Sequence, residues 1–167
     1  CLAVPVAAVT SPLFAAIKNF GLLDKHLGVM IPLVAFNAPM MLLMIKNYFD
    51  TIPDELLESA RIDGASSFRI WLEFMVPLSG PIIANVLVLT FIYSWNDYLV
   101  PLLVMRSEKN YTVTLAAQYF VSSTYQSPAD VARIYAVMML LTLPSIIVYL
   151  FSQKFLVGGI TSGSVKG

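Results

Sequence analysis

Four mainly apolar stretches of this chain carry no aspartate, glutamate, lysine or arginine: Cys1 to Ile17, Leu27 to Ile45, Phe74 to Asn96 and Ile134 to Gln153. A helix rising about 1.5 Å per residue needs about 20 mainly apolar residues to cross about 30 Å of hydrocarbon. Three runs meet that length, and the first reads as the remainder of a fourth. A membrane β-barrel fits poorly, because its strands alternate polar and apolar residues and these runs are apolar throughout. Pro32, Pro39, Pro81 and Pro144 lie inside the runs. Neighbouring helices and local waters can satisfy the carbonyls that such prolines free. Composition agrees with this class: 58% of residues are hydrophobic and 12% charged, at a mean hydropathy of +0.78. A soluble domain carries about 25% charge, so this chain has too little to cover a water-facing surface. The expected fold is an all-α, polytopic membrane helix bundle in a single domain over 1–167, with spans near 1–17, 27–47, 77–104 and 133–153.

Ten basic and ten acidic residues cancel, which leaves no electrostatic footprint for nucleic acid. Cys1 and His26 are the only cysteine and histidine, which excludes a disulfide framework or a Cys/His metal cluster within the chain. The opening Cys-Leu-Ala-Val-Pro has neither Met nor a basic lead-in, so residue 1 is expected to be an interior cut in a longer protein. A lipoprotein beginning at Cys1 is the competing reading. Orientation does not follow from charge: Lys46, Arg61, Arg69, Lys154 and Lys166 on one side balance Lys18, Lys25, Arg106, Lys109 and Arg133 on the other.

The connection Thr51-Ile-Pro-Asp-Glu-Leu-Leu-Glu-Ser-Ala-Arg-Ile-Asp-Gly-Ala-Ser-Ser-Phe-Arg-Ile-Trp-Leu-Glu-Phe-Met-Val-Pro-Leu-Ser79 carries the most information. Its pattern predicts two short amphipathic helices. Thr51 is placed to cap the first, with Pro53 in its opening turn and Asp54 in the capping-box position. Ile52, Leu56 and Ala60 fall on one face at steps of four. Gly64 supplies a left-handed stop. In the second helix Phe68, Trp71, Leu72 and Met75 repeat the pattern, Arg69 and Glu73 form an i,i+4 pair, and Pro77 marks entry to the next span. By pattern alone the two helices could simply lie at the lipid headgroups.

Glu58-Ser59-Ala60, Asp63-Gly64-Ala65, Ile70 and Val76-Pro77-Leu78 resemble the cytoplasmic signature loop of permease subunits in bacterial ABC importers. That signature runs Glu-Ala-Ala, three residues, Gly, nine residues, Ile, any residue, Leu-Pro. Ser59 replaces one Ala, and the ending departs from a strict Ile-x-Leu-Pro. Further stretches resemble the carbohydrate branch, the maltose and glycerol-phosphate permeases. They are Gly21-Leu-Leu-Asp-Lys-His-Leu-Gly28, Ser94-Trp95-Asn96-Asp97, and the tail Gln153 to Gly167.

The resemblance implies a multi-pass subunit in the bacterial cell (inner) membrane, with the 51–76 coupling loop and the 154–167 tail in the cytoplasm. It implies as partners a dimer of ATP-binding ABC subunits, a second homologous permease subunit and an extracytoplasmic sugar-binding protein, all around a lipid bilayer. Glu58, Ser59, Ala60, Asp63 and Gly64 would couple to the ATPase, with Ala60 allowing close approach. The tail glycines Gly158, Gly159 and Gly163 could also touch it. ATP would be used by the partner: Gly158 and Gly163 have phosphate-loop spacing, but Ser164 and Val165 follow where Lys and Ser/Thr are required. No cofactor bound by this chain is expected, and no enzymatic activity of its own. The simpler role for Asp63 is to cap the second helix.

Tyr93, Trp95 and Asn96 are candidates for the substrate path by residue type alone. Asp97 falls about 30 Å from Leu78, at the outer aromatic belt, where an interface role outweighs a substrate role. Pro101 frees the Asp97 carbonyl, so a bend is expected there. The aromatic 106–130 segment, with Tyr111, Tyr119, Phe120 and Tyr125, suits docking of a delivery protein or an ordinary solvent loop. An ion-driven transporter or channel is the alternative. It would call for charge in mid-span, which the four runs lack.

Overall fold

The computed structural model describes residues 5–124 and 130–161. Among the described residues the regular structure is helix, with no strand. A 3-10 turn at Val6–Val9 leads into α1 (Thr10–Asn19), followed by α2 (His26–Phe49), α3 (Asp54–Ile62) and α4 (Ser67–Ile70). A π turn, Trp71–Met75, joins α4 to α5 (Val76–Leu78). Then come α6 (Gly80–Asn96), α7 (Leu99–Val104), a 3-10 turn at Glu108–Asn110, α8 (Val113–Thr124) and α9 (Asp130–Thr161).

Among the described residues two helices are long and apolar enough to cross a bilayer: His26–Phe49, at mean hydropathy 2.0, and Asp130–Gln153, at 2.2. Pro32 and Pro39 lie within α2 and Pro144 within α9, and each helix runs on past its prolines. Asn37, within α2, satisfies its side chain on its own helix, Nδ2 donating to the Leu33 carbonyl at 2.8 Å. A third crossing would be the bent pair Ser67–Leu78 and Gly80–Asn96, which meet at 64°. Among the described residues, the 1–17 stretch holds the 3-10 turn and most of the ten-residue α1, itself about 15 Å long and too short to cross alone.

The 77–104 stretch is broken twice. The bend falls at Ser79 rather than at Pro77. Pro77 sits in the opening turn of α5, after the Val76 amide has reached back five residues to the Trp71 carbonyl in the π turn. Pro81, which cannot donate an amide, forces the later break and occupies the start of α6, where no donor is needed. Ser79, buried at the corner, turns its hydroxyl back onto the Met75 carbonyl, a bond that bends helices. The second break, at Asp97 and Tyr98, separates α6 from α7, three residues before Pro101.

The chain divides into two compact units, described separately: Cys1–Pro39 with Thr90–Val148, and Met40–Leu89 with Tyr149–Gly167. The first has a core of Ile17, Val29, Val100, Val104, Met105 and Leu115, with Leu13, Leu33 and Tyr111 packed on it. Its α1 ends in a Schellman turn, with Gly21 at φ +65° and the Leu22 amide bonded to the Ile17 carbonyl at 3.0 Å. Gly28 lies against the Leu22 carbonyl and the Val104 side chain, so any Cβ there would overlap backbone. The second unit holds the end of α2, α3 to α5 and the start of α6.

Candidate functional site

The second unit presents α3 on a short, fixed mount. Four residues separate Phe49 from Asp54, and they are tied down at once. Thr51 Oγ1 donates to the Tyr48 carbonyl at 2.7 Å, so Thr51 closes the end of α2 instead of capping α3. Pro53 stands at the N-cap without a side-chain bond, and Asp54 and Glu55 place carboxylates against the positive end of the helix. At the other end Gly64, at φ +82°, completes a second Schellman turn. Its amide bonds the Arg61 carbonyl, and the Ala65 amide bonds the Ala60 carbonyl, both at 3.0 Å.

Ser66 then caps α4, its hydroxyl accepting the Arg69 amide at 3.3 Å. The capping role considered for Asp63 thus belongs to Ser66, because Asp63 is still the closing residue of α3. Arg69 Nε and Glu73 Oε2 form their pair at 2.9 Å.

The side chains of α3 sort into two faces. Ala60 is buried, 5% exposed. Glu58, Ser59, Asp63 and Gly64 are exposed. Ser59 Oγ donates to the Leu56 carbonyl at 2.9 Å. Ile62 stands out at 86% exposed, and Phe68 at 68% and Trp71 at 52% add an aromatic pair 5.8 Å apart. Acidic groups beside bare apolar ones, on a rigid helix between two fixed turns, form a surface suited to a protein partner.

In the first unit a cavity of about 330 Å³ is lined by residues that include Trp95, Asn96, Tyr98, Thr114, Gln118 and Thr142. Trp95 holds it together. Its indole Nε1 donates to the Leu141 carbonyl on α9 at 3.1 Å, one residue past the carbonyl that Pro144 leaves without a donor. Its own carbonyl, orphaned at the end of α6, accepts the Thr114 hydroxyl of α8 at 2.6 Å. Phe91 stacks on the indole at 5.5 Å. Asn96 Nδ2 donates to the Ile92 carbonyl at 2.8 Å. Tyr93, 46% exposed, is not among the cavity's lining residues. Asp97 Oδ2 accepts the Val100 amide at 3.3 Å and so starts α7.

Asp24 was not singled out by sequence pattern, yet it organises the turn between α1 and α2. At φ +56° it accepts the amides of Arg106 and Ser107, each at 2.9 Å, and the Ser107 hydroxyl. Its amide bonds the Val104 carbonyl at 2.9 Å, and Asn110 Nδ2 donates to its carbonyl at 2.8 Å. The Ser107 hydroxyl and amide, with the Arg106 amide, hold its carboxyl well below the usual carboxylate range. Arg106 also lies over the Phe14 ring at 5.5 Å. Tyr111 and Tyr119 stack at 4.8 Å. Gly158 and Gly159 fall on α9, whereas Gly163, Tyr125 and Cys1 lie outside the described residues.

Residues 1–161 match the family described as binding-protein-dependent transport system inner membrane component. The chain is 34% identical over 157 residues to the inner membrane ABC transporter permease protein YcjP of Escherichia coli K12, covering 93% of this chain and 55% of that protein. It is 36% identical over 159 residues to the sn-glycerol-3-phosphate transport system permease protein UgpE of Yersinia pestis bv. Antiqua, covering 95% and 56%. It is 34% identical over 164 residues to the arabinooligosaccharides transport system permease protein AraQ of Bacillus subtilis 168, covering 98% and 57%. The chain thus spans about half the length of the curated relatives it matches.

Proposed function

The chain belongs to the inner-membrane components of binding-protein-dependent transport systems, and from that premise we propose that it is a permease subunit that forms the translocation path for a sugar and couples it to ATP hydrolysis by a separate ATPase. The relatives named for glycerol 3-phosphate and arabinooligosaccharides support a sugar, with a polyol phosphate as the neighbouring substrate class. The observation that carries coupling is α3 on its two fixed turns, with Glu58, Ser59, Ile62 and Asp63 turned outward.

In this reading α3 seats in a groove of an ATP-binding subunit, one of a dimer. Glu58 and Asp63 offer carboxylates to basic or amide donors, and Ile62 enters an apolar recess. Ala60, buried on the opposite face, supports the docking face from behind, and Gly64 fixes the reversal that follows. Closure of the ATPases on ATP pushes α3 and shifts the spanning helices between access states. The ATP is bound and hydrolysed by the partner.

The 51–76 loop and the tail then face the cytoplasm, and the tail glycines Gly158, Gly159 and Gly163 lie on the side the ATPase approaches. The aromatic 106–130 segment faces a sugar-binding protein on the outside. A second permease subunit completes the path. Along it, Asn96 and Trp95 border a cavity wide enough for a small sugar, about 300 Å³ being the lower bound of ordinary ligand sites. The Trp95 N–H is already engaged, so its contribution is stacking rather than hydrogen bonding. Tyr93, beside but outside that cavity, would meet substrate only farther along.

The test is crosslinking from an exposed position of α3. Ile62→Cys in the full-length protein, assembled with single-cysteine versions of its ATPase, is expected to crosslink in a nucleotide-sensitive manner. No crosslink in a folded, assembled complex would return the loop to a headgroup anchor. Transport that collapses with an ionophore and ignores ATP would favour the ion-driven alternative.

A further inference from the structure

The 51–76 loop is closed at its base by a single side chain. Tyr48, half-buried on the last turn of α2, donates its hydroxyl to the Leu78 carbonyl at 2.7 Å, across thirty residues of sequence. Leu78 is the last residue before the 64° bend, so its carbonyl is one that the interrupted helix leaves without a donor. The other bonds of this corner are local. Ser79 turns back onto Met75, Thr51 onto Tyr48, and Lys46 Nζ meets Asp50 Oδ2 at 2.6 Å on the exposed side. The π turn just before the corner is a geometry found often at moving or functional parts of helices. Tyr48 is therefore the hydrogen bond that ties the two ends of the loop to each other rather than to themselves.

We infer that the Tyr48 hydroxyl, seated on the Leu78 carbonyl at the bend, is a positioning group that passes movement of the 51–76 loop on to α2. The inference rests on the proposed docking of α3. A push on α3 reaches α6 along the chain through α4, the π turn and α5. It reaches α2 along the chain only through the short 50–53 connection, whose bonds run back to α2 itself. With the hydroxyl in place the corner at Leu78 and the end of α2 move as one body. Without it the corner can swing on Ser79 and Gly80 while α2 stays behind. Gly80 has nothing within 4 Å of where a Cβ would stand, so its own face of the corner is open.

The experiment uses the full-length protein assembled with its ATPase and spin labels at two exposed positions of the same unit, Leu43 on α2 and Ile83 on α6. Distances are measured without nucleotide and after trapping with ATP and vanadate, in the wild-type background and in Tyr48→Phe, which keeps the ring and removes the donor. Trapping is expected to shift the distance distribution in the wild type. In Tyr48→Phe the shifted population should fall about two- to tenfold, the range one neutral hydrogen bond commands. The nucleotide-free distribution and the Ile62→Cys crosslink should stay as they were. An equal shift in both backgrounds overturns the inference. So does a changed nucleotide-free distribution, which would make the hydroxyl a static brace, or a crosslink lost only in Tyr48→Phe, which would make it part of the docking surface. Absence of the crosslink in the wild type brings down the docking reading itself, and is told apart by needing no Tyr48 variant.

Discussion

At Gly64 the backbone stands at φ +82° with open space where a Cβ would go, whereas Gly28 is helical and lies against the Leu22 carbonyl. Substitution by alanine meets a different penalty at each. In Gly64→Ala the cost is conformational, about 1–2 kcal/mol for an L residue in the left-handed region. In Gly28→Ala the added methyl meets backbone, and the turn before α2 must move to admit it. Unfolding in mixed micelles should therefore show the larger loss for Gly28→Ala, and equal losses would refute the packing account. Asp24 allows a test by pH. Its carboxyl titrates below its unfolded value, so the stability it adds is complete above the ordinary carboxylate pKa, about 4, and is lost as pH falls through its own lower value. Asp24→Asn at neutral pH should expose the Arg106 and Ser107 amides to hydrogen exchange, while the wild type keeps them protected until strongly acidic pH. Protection unchanged in Asp24→Asn would show that the turn holds without its charge.

Elements that obey local rules were legible from sequence. The charge-free runs at Leu27–Ile45 and Ile134–Gln153 became α2 and α9, because apolar length is what a bilayer selects. Gly64 ended α3, and Arg69 met Glu73 one turn on. Interruptions were harder to place. Pro77 was the expected boundary, but a proline near the start of a helical turn disrupts little, and the effective break came from Pro81 acting on the residues before it. Thr51 and Asp63 had capping chemistry but not the cap position, since Pro53 and Ser66 precede the helices more closely. Contacts at long range left no local pattern: Asp24 finds Ser107 across 83 residues and Trp95 finds Leu141 across 46. Trp95 joins α6 to α9 and, through its carbonyl, to α8. Trp95→Phe keeps the stacked ring and removes the N–H that the Leu141 carbonyl accepts, so unfolding should cost about 0.6–2 kcal/mol, the range of interhelical hydrogen bonds in membranes. Thr114→Val should cost a similar amount, and losses near zero for both would mean that packing alone joins these helices.

Across the whole molecule, exposed apolar residues face two different solvents, and composition alone does not separate them. On α9, Met139, Leu143, Ile147 and Phe151 are all exposed, and none of the span's apolar window is buried within the chain. A 24-residue helix of mean hydropathy 2.2 can be stable in that state only in contact with hydrocarbon or with other spanning helices. Ile62 is just as bare, but it belongs to the nine-residue α3, about 14 Å long, beside Glu58, Arg61 and Asp63. A helix that short and that charged cannot cross, so its apolar face is available to a protein. The same substitution should therefore act differently at the two places. Leu143→Arg puts a charge mid-span and should raise the insertion free energy of α9 by about 2.5–3.5 kcal/mol, read as a fall in the inserted fraction in a translocation assay. Ile62→Arg should leave insertion unchanged and weaken association with the ATPase by about 1–2 kcal/mol, five- to thirtyfold in affinity. Should Ile62→Arg reduce insertion and spare association, α3 would be lying in the headgroups, and the force that moves the spanning helices would have to enter the chain elsewhere.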